Sequence, residues 1–342
     1  MLIGHIGISD RREKMIRKAL KKVYHLLPLS EPMREKIRKK LKPIDNVGGG
    51  KVDIYGERLP RLNLEMPRKV SVIIPNYNYA RYITERIDSI IFQTYPIYEL
   101  IILDDCSTDN SVEIIKKKIE SLQVDFPVSL IENEHNSGNV FAQWKKAFSV
   151  AGGDYVWIAE ADDSSNARFL ETVMKAFDDE KVVISYCESL TMDEENRLLM
   201  GDLRPWIDQF GCGKWDKDYV KDGVEEIGET MCINNTIANV SSAVFRNGDY
   251  SQYIEEAKRF KLAGDWYVYM RVLEHGKIAY NCQSLNYHRM QQQGLTLSTS
   301  HEKEFEEIVF LQNYALEHYP VSPAVKEKVL ERRERERGRF GL

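Results

Sequence analysis

No run of apolar residues in this 342-residue chain approaches the roughly 18 needed to span a bilayer, so no membrane-crossing helix is expected. The opening segment, MLIGHIGISDRREK, has no long apolar core before a small-residue cleavage site, and secretion is not expected either. Cysteine is scarce and scattered: Cys106, Cys187, Cys212, Cys232 and Cys282 form no C-x-x-C pair. Such an odd set fits a reducing cytosol better than a disulfide framework or a zinc site. Positive charge is not in excess, with 48 Lys and Arg against 53 Asp and Glu. That argues against a nucleic-acid partner. The first strand-to-helix turn, PNYNYAR, contains no glycine, and no G-x-x-x-x-G-K-[ST] occurs. A dinucleotide-binding Rossmann enzyme and a P-loop enzyme are both disfavoured.

What is present begins with an uneven distribution of charge. Between Arg11 and Pro43 there are 13 Lys or Arg against three Glu. Met15, Ala19, Lys22, Val23 and Leu26 share one helical face there, and a second basic helix is expected after Pro28, over roughly Pro32–Leu41. Residues 1–43 thus read as a basic helical extension, either a solvated hairpin or an attachment to an anionic membrane surface. The triple glycine Gly48–Gly50 marks 44–66 as a linker.

From Val70 the chain alternates apolar β-branched runs with single amphipathic helices. Strands are expected at 70–75, 99–105, 127–133, 154–162 and 181–190. Helices are expected around Ile83–Ile91, Val112–Leu122 (with Asp109 as N-cap), Val140–Phe148 and Phe169–Phe177. Apolar strands linked by single helices require a mostly parallel sheet covered on both faces. The expected fold is therefore α/β, over 67–320, with a nucleotide-binding half (67–190) and an acceptor-binding half (191–320). Beyond 190 the period is lost and 191–235 reads as long loops. A strand (236–245), a helix (264–276) and a last strand (277–289) follow, and 321–342 is a charged tail expected to be solvated or frayed.

In open parallel sheets, ligands bind outside the carboxyl ends of the strands. Here those ends carry Pro75-Asn76-Tyr77-Asn78, Asp104-Asp105 and Glu160-Ala161-Asp162-Asp163. Carboxylates gathered on one rim repel one another unless a cation or hydrogen-bond donors occupy it. Hard divalent ions take such oxygen ligands and share them with substrate phosphates. A single acidic pair can instead be ordinary helix capping.

Over about Val70–Asp163 these residues resemble the inverting family 2 glycosyltransferases of GT-A fold, of the bacterial surface-polysaccharide type. VSVIIPNYN, SIIFQTYPIYELIILDDCSTDNS, NSGNVFAQWKKAF and GGDYVWIAEADD follow in register. The likeness then continues more loosely in AGDW (263–266) and YHR (287–289).

The resemblance implies roles. Tyr77 would stack on a pyrimidine, with Pro75 and Asn78 in the same turn, and Asp105 or Asp104 would accept the ring N–H. Asn136 and Gly138 lie in the loop that approaches the nucleotide, with His135 where relatives often carry a basic residue. Glu160-Ala161-Asp162 takes the place of the D-x-D metal motif, with Glu in place of the first Asp. Asp162 is then the primary ligand of Mn²⁺ or Mg²⁺, Glu160 faces the ribose or a metal-bound water, and Asp163 is either a further ligand or a helix cap. Asp265 is the general base, at a helix start whose amide dipole would keep it ionised. Trp266 floors the acceptor site or belongs to the core. His288 (metal) and Arg289 (diphosphate) lie beside a polar lid, 291–300.

The expected activity is transfer from a UDP- or dTDP-sugar to a saccharide or lipid-linked glycan at the cytoplasmic membrane face. A catalytically silent module of a multi-domain synthase is the alternative. A sugar-1-phosphate nucleotidyltransferase would need a Gly-rich basic first turn that is absent.

Overall fold

The computed structural model describes residues 58–208, 213–291 and 300–342. The basic extension at 1–43, most of the linker, Cys212 and nearly all of the 291–300 lid lie outside the described residues.

Strand β1 (Val70–Asn76) is buried along its whole length. Its side chains alternate between two cores. Ile73 joins Ile101, Val156 and Ile158 on one face, while Val72 and Ile74 join Leu100, Ile102 and Trp157 on the other. A continuous apolar run is what a strand covered on both faces requires. Helix α1 (Ile83–Ile91) turns Ile83, Ile87 and Ile90 inward at helical spacing. It is followed by β2 (Glu99–Asp104), α2 (Ser111–Ser121), β3 (Val128–Glu132), α3 (Val140–Val150) and β4 (Tyr155–Ile158). The two-residue β5 (Ser164–Ser165), the short α4 (Phe169–Val173) and the long β6 (Val182–Met192) come next.

Where the period fails, short elements replace the expected loops: β7 (Leu198–Asp202), α5 (Arg204–Ile207), β8 (Tyr219–Asp222) and α6 (Gly223–Glu226). The chain then forms β9 (Ala243–Arg246), α7 (Ser251–Ala257), α8 (Gly264–Leu273), β10 (Lys277–Arg289), α9 (His301–His318) and α10 (Pro323–Phe340).

The described strands form one ten-stranded sheet with the path β3-β2-β1-β4-β9-β6-β10-β5, β7 lying beside β6 and β8 beside β10. The sheet is mixed, with its six main strands β1, β2, β3, β4, β6 and β10 running in one direction, as expected of a mostly parallel sheet. β3, β2, β1 and β4 are parallel, but β9 runs antiparallel between β4 and β6, and the β5, β7 and β8 pairings are antiparallel too. The reversal falls where single-helix crossovers stop. The same sheet runs through both expected halves, so they are not separate bodies.

Three local expectations also change. The strand expected over 236–245 is confined to Ala243–Arg246, because Val240–Ser242 form a 3-10 turn. Helix α2 has Asn110 in the N-cap position, one residue after the expected Asp109. Asp109 still accepts the Ser111 N–H at 2.9 Å. The tail is not frayed: it forms helix α10, largely open to solvent but burying Val329, Arg332 and Glu336, and Arg333 Nε donates to Gln312 Oε1 of α9 at 2.8 Å. Among the described residues, no helix is long and apolar enough to cross a membrane.

Candidate active site

Parallel pairing of β1 with β2 sets Asn76 opposite Asp104, so the polar strand ends arrive together. Pro75 sits past the β4 pairing, which ends at Ile73–Ile158, so its missing N–H leaves no ladder bond unmade there. Asn76 Nδ2 donates to Asp104 Oδ2 at 2.6 Å, and Asp104 Oδ1 accepts the Ser107 N–H at 2.8 Å. Asn78, in the left-handed region at φ +60°, accepts the Thr108 N–H at 2.7 Å. Asp104 and Asn78 therefore bind the two turns to each other. Asp104 is buried with both oxygens taken, which corrects its assignment as a ligand contact, whereas Asn78 is exposed and of its side chain only Oδ1 is engaged. Tyr77 stands 44% exposed on the rim.

Asp105 is buried and heavily engaged. Its Oδ1 accepts from Asn133 Nδ2 and Gln143 Nε2, each at 2.7 Å, and its Oδ2 from Ser137 Oγ at 2.7 Å. A nucleobase N–H reaching it would have to displace or share with one of these donors. Asn136 Oδ1 accepts the N–H of Gly138 at 2.6 Å, and Gly138 takes φ +64°, so the pair forms the tip of this loop.

The acidic group beyond β4 is the electrostatic centre of the rim. Burial first, then Asp162 and Asp163, push the pKa of Glu160 up to about 8. Asp162 is raised as well, by burial and by Asp163, and its Oδ2 accepts from Gln291 Nε2. Burial works against ionising Asp163, yet the neighbouring His288 imidazole overrides it and holds this carboxyl well below the usual range. Burial likewise opposes charge on His288, and Asp163 more than offsets it, raising the imidazole.

Asp163 points inward. Its Oδ2 accepts from Asn239 Nδ2 and its Oδ1 from the Arg289 N–H, both at 2.9 Å, with His288 Nδ1 at 3.3 Å. It orients His288 instead of facing solvent, and it caps no helix, which corrects both readings of it. Such a carboxylate behind an imidazole leaves Nε2 as the outward-facing nitrogen.

Arg289 is a larger correction. It is 2% exposed, and no lid carries it. Nε donates to the Asp162 carbonyl at 2.6 Å, Nη1 to the Asp193 carbonyl at 3.0 Å and to Asn196, and Nη2 to Glu85, with the guanidinium 4.5 Å from the Tyr82 ring. β10 continues to this residue and sends the side chain into the fold. Arg289 braces the backbone of Asp162 and is unavailable to a diphosphate.

Asp265 lies in the first turn of α8, past an N-cap residue, Ala263, that supplies no side-chain cap. Oδ1 accepts the Trp266 N–H at 2.7 Å and Oδ2 accepts from Asn235 Nδ2 at 3.1 Å. The expected effect of the helix dipole does not win: burial lifts Asp265 to about 6. The buried Tyr269 hydroxyl feels the charges of both Asp265 and Glu160. Trp266 is core, with Nε1 donating to the Met231 carbonyl at 2.9 Å.

Several partners escaped the sequence reading. Arg86 is fully buried, donates to Ser165 Oγ at 2.8 Å, lies 5.0 Å from the Trp157 ring and feels all three acids. Its signal was available: a charged residue on the inward face of an apolar helix. Asn235, Asn239 and Gln291 carried none. Among the described residues, no three His, Cys, Asp or Glu side chains close into a ready-made metal cage.

The family model for glycosyl transferase family 2 matches residues 71–233. An uncharacterised glycosyltransferase of Nostoc sp. is 35% identical over 115 residues, 34% of each chain. The poly(ribitol-phosphate) β-N-acetylglucosaminyltransferase TarS of Staphylococcus aureus is 37% identical over 114 residues, 33% of this chain and 19% of that one. The matched stretch is thus about a third or less of these curated relatives. Among solved structures, S. aureus TarS 1–349 with UDP-GlcNAc superposes with a TM-score of 0.53 at 19% identity, covering 79% of this chain and 73% of that one. The Pyrobaculum calidifontis mannosyltransferase with GDP-Man and Mn²⁺ gives 0.56 at 16%, covering 96% and 83%. At these identities the likeness concerns the fold, which is GT-A.

Proposed function

Because residues 71–233 belong to glycosyl transferase family 2, within a chain of GT-A fold, we propose that this protein transfers a sugar from a UDP- or dTDP-sugar to a glycan hydroxyl, inverting the anomeric centre. The observation that carries the reading is a half-buried carboxylate raised to about 6, Asp265, held by Asn235 and the Trp266 N–H, in the same fold as three clustered acids.

The acceptor oxygen attacks the anomeric carbon opposite the diphosphate. The carbon–oxygen bond to the diphosphate breaks, and the nucleoside diphosphate departs with the electron pair. Asp265 takes the hydroxyl proton, and Asn235 holds its Oδ2 in place. Proton transfer by a positioned base is worth roughly 10²–10⁴-fold in rate. Tyr77 supplies a stacking face for the base, and the Asp105 loop, with Asn136 and Gly138 at its tip, closes beside it.

The donor set suits a hard divalent ion, since clustered carboxylates biased towards protonation gain most from a cation. Asp162 would hold Mn²⁺ or Mg²⁺, with His288 Nε2 as a second ligand and Glu160 beside it. With no complete cage among the described residues, substrate oxygens would fill the remaining positions. When bound, the ion supplies positive charge at the diphosphate.

The acceptor is proposed to be a surface polysaccharide or a lipid-linked precursor, in keeping with relatives named for poly(ribitol phosphate) and teichuronic acid. A cytoplasmic location, at the membrane face, rests on the basic stretch 11–43 alone. The test is release of nucleotide from UDP- and dTDP-sugars with Mn²⁺ or with EDTA, for wild type, Asp162→Asn and Asp265→Asn. Metal-dependent turnover that either substitution lowers by about 10² or more supports the reading. A silent module gives no metal-dependent turnover with any donor.

A further inference from the structure

Asp265 is not held in place by its own helix alone. The carboxylate of Glu307, on α9, accepts hydrogen bonds from three consecutive backbone N–H groups. Lys261 donates to Oε1 at 2.8 Å, and Leu262 and Ala263 donate to Oε2 at 2.9 and 3.0 Å. Glu307 is 3% exposed, so these bonds are shielded from water. Helix α8 begins at the next residue, Gly264, and Ala263 offers no cap. Glu307 therefore fixes, from a distant helix, the turn that leads into α8, including the amide of its N-cap residue Ala263.

Two further contacts leave that turn no slack. A Cβ on Gly264 would stand 2.5 Å from the Phe141 ring and 2.9 Å from the Ala257 carbonyl, so the turn is wedged against α3 and α7. On the other side, Gln312 of α9 donates to the Ile233 carbonyl at 2.9 Å and anchors the loop from which Asn235 reaches Asp265. One helix thus fixes both the backbone that carries Asp265 and the loop that holds its Oδ2.

We propose that Glu307 is a positioning residue for Asp265, clamping the 261–263 amides so that the base stands at its working distance from the acceptor hydroxyl. This rests on the reading of Asp265 as base. A small displacement of a reacting group costs up to about 10²-fold in rate. The groups acting on Asp265 are Asn235 from the 232–239 loop, the Trp266 N–H of α8 and Glu307 from α9, with the Tyr269 hydroxyl of α8 feeling its charge. The negative charge of Glu307 contributes to raising Asp265. Its removal shifts the acid limb of turnover to lower pH, which a purely structural role does not do.

The experiment measures donor hydrolysis with Mn²⁺ across pH 5–8, using the best substrate from a panel of UDP-, dTDP- and GDP-sugars. The expected result for Glu307→Gln is kcat lower by about 10²-fold with donor KM within about twofold, and an acid limb at lower pH. Glu307→Asp keeps the charge but is too short to span three amides. It should lose kcat with the limb in place, and it decides the matter if the Gln variant does not fold. Wild-type kcat and limb in both variants overturn the proposal. So does a parallel loss of kcat, KM and melting temperature with an unmoved limb. Asp265→Asn is run alongside. If it turns over like wild type, the base reading fails and takes this proposal with it; if it is inactive while Glu307→Gln is normal, positioning alone fails. A wild type that hydrolyses no donor overturns both.

Discussion

Replacing Asp265 by Asn should stabilise the protein while stopping its chemistry. Burial raises this carboxyl from 3.8 to about 6, so the folded protein takes up its proton more readily than the unfolded chain does. Below about pH 4 the group is protonated in both states and costs nothing. Between pH 4 and 6 the unfolded chain releases the proton first, and the folded state falls behind. Above pH 6 the full cost of a buried charge is present. At about 1.4 kcal/mol per unit of displacement, that cost is at most about 3 kcal/mol. The hydrogen bonds from Asn235 and the Trp266 N–H are already counted in the net value, and partial access to water reduces it further. A gain of about 1–2 kcal/mol is expected at pH 7.5, a rise of some 2–4 °C in a chain of this size. Asn keeps the oxygen that accepts from Trp266, but its amide nitrogen meets the Asn235 Nδ2 donor, and this lost bond holds the gain at the lower end of that range. The assay is thermal unfolding of both proteins from pH 4.5 to 8, beside nucleotide release. The stabilisation should vanish towards pH 4.5, and wild-type turnover should fall tenfold per pH unit below 6. A variant less stable than wild type at pH 7.5, or a gap independent of pH, refutes the electrostatic reasoning.

Arg289→Met should cost about 3–5 kcal/mol, because it leaves Glu85 and the Asp162 carbonyl without their buried partner. A raised donor KM with an unchanged melting temperature would instead restore Arg289 as a diphosphate ligand. Glu160, at about 8, is mostly protonated at pH 7. Cation binding in the presence of UDP should therefore release a proton, and Mn²⁺ affinity should rise from pH 6.5 to 8.5. Calorimetry in phosphate and in Tris should give different binding enthalpies, and equal values would contradict this. Gly264→Ala forces a Cβ against Phe141 and the Ala257 carbonyl. The cost should be about 1–3 kcal/mol, with kcat falling further than the donor KM changes; an unaltered kcat would show that the start of α8 tolerates movement.

The sheet and its chemically loaded edge were legible because burial on both faces leaves a plain record in sequence. VSVIIPN, ELIILDD and VWIAEADD are apolar until the strand ends, and polar residues begin where the chain leaves the core. The same logic could not reveal which polar residue faces a ligand. Asp104 and Asp105 read alike, yet one ties down its own turn and the other anchors the Ser137 loop. The tail was legible only in part for a related reason. ERRERERGR looks solvated because nearly every residue is charged, but Arg332 and Glu336 pair at 2.9 Å on one helical face and are buried together.

Sequence separation accounts for much of what stayed hidden. Before residue 150, many decisive bonds are short-range: Asp104 to the Ser107 N–H, Asn136 to the Gly138 N–H, and Asn139 to the Phe141 N–H. Turn chemistry of this kind is written in adjacent residues. Beyond residue 160 the partners are remote: Asp265 with Asn235, Glu307 with 261–263, Asp163 with His288, Arg289 with Glu85. Nothing near Asp265 in the chain predicts a pKa of about 6, since its local setting, the first turn of a helix, pushes the other way. The long-range packing that buries it reverses the sign. A base able to take a proton near neutral pH is therefore a product of tertiary structure, and substitutions in α9 should tune it without touching the α8 sequence.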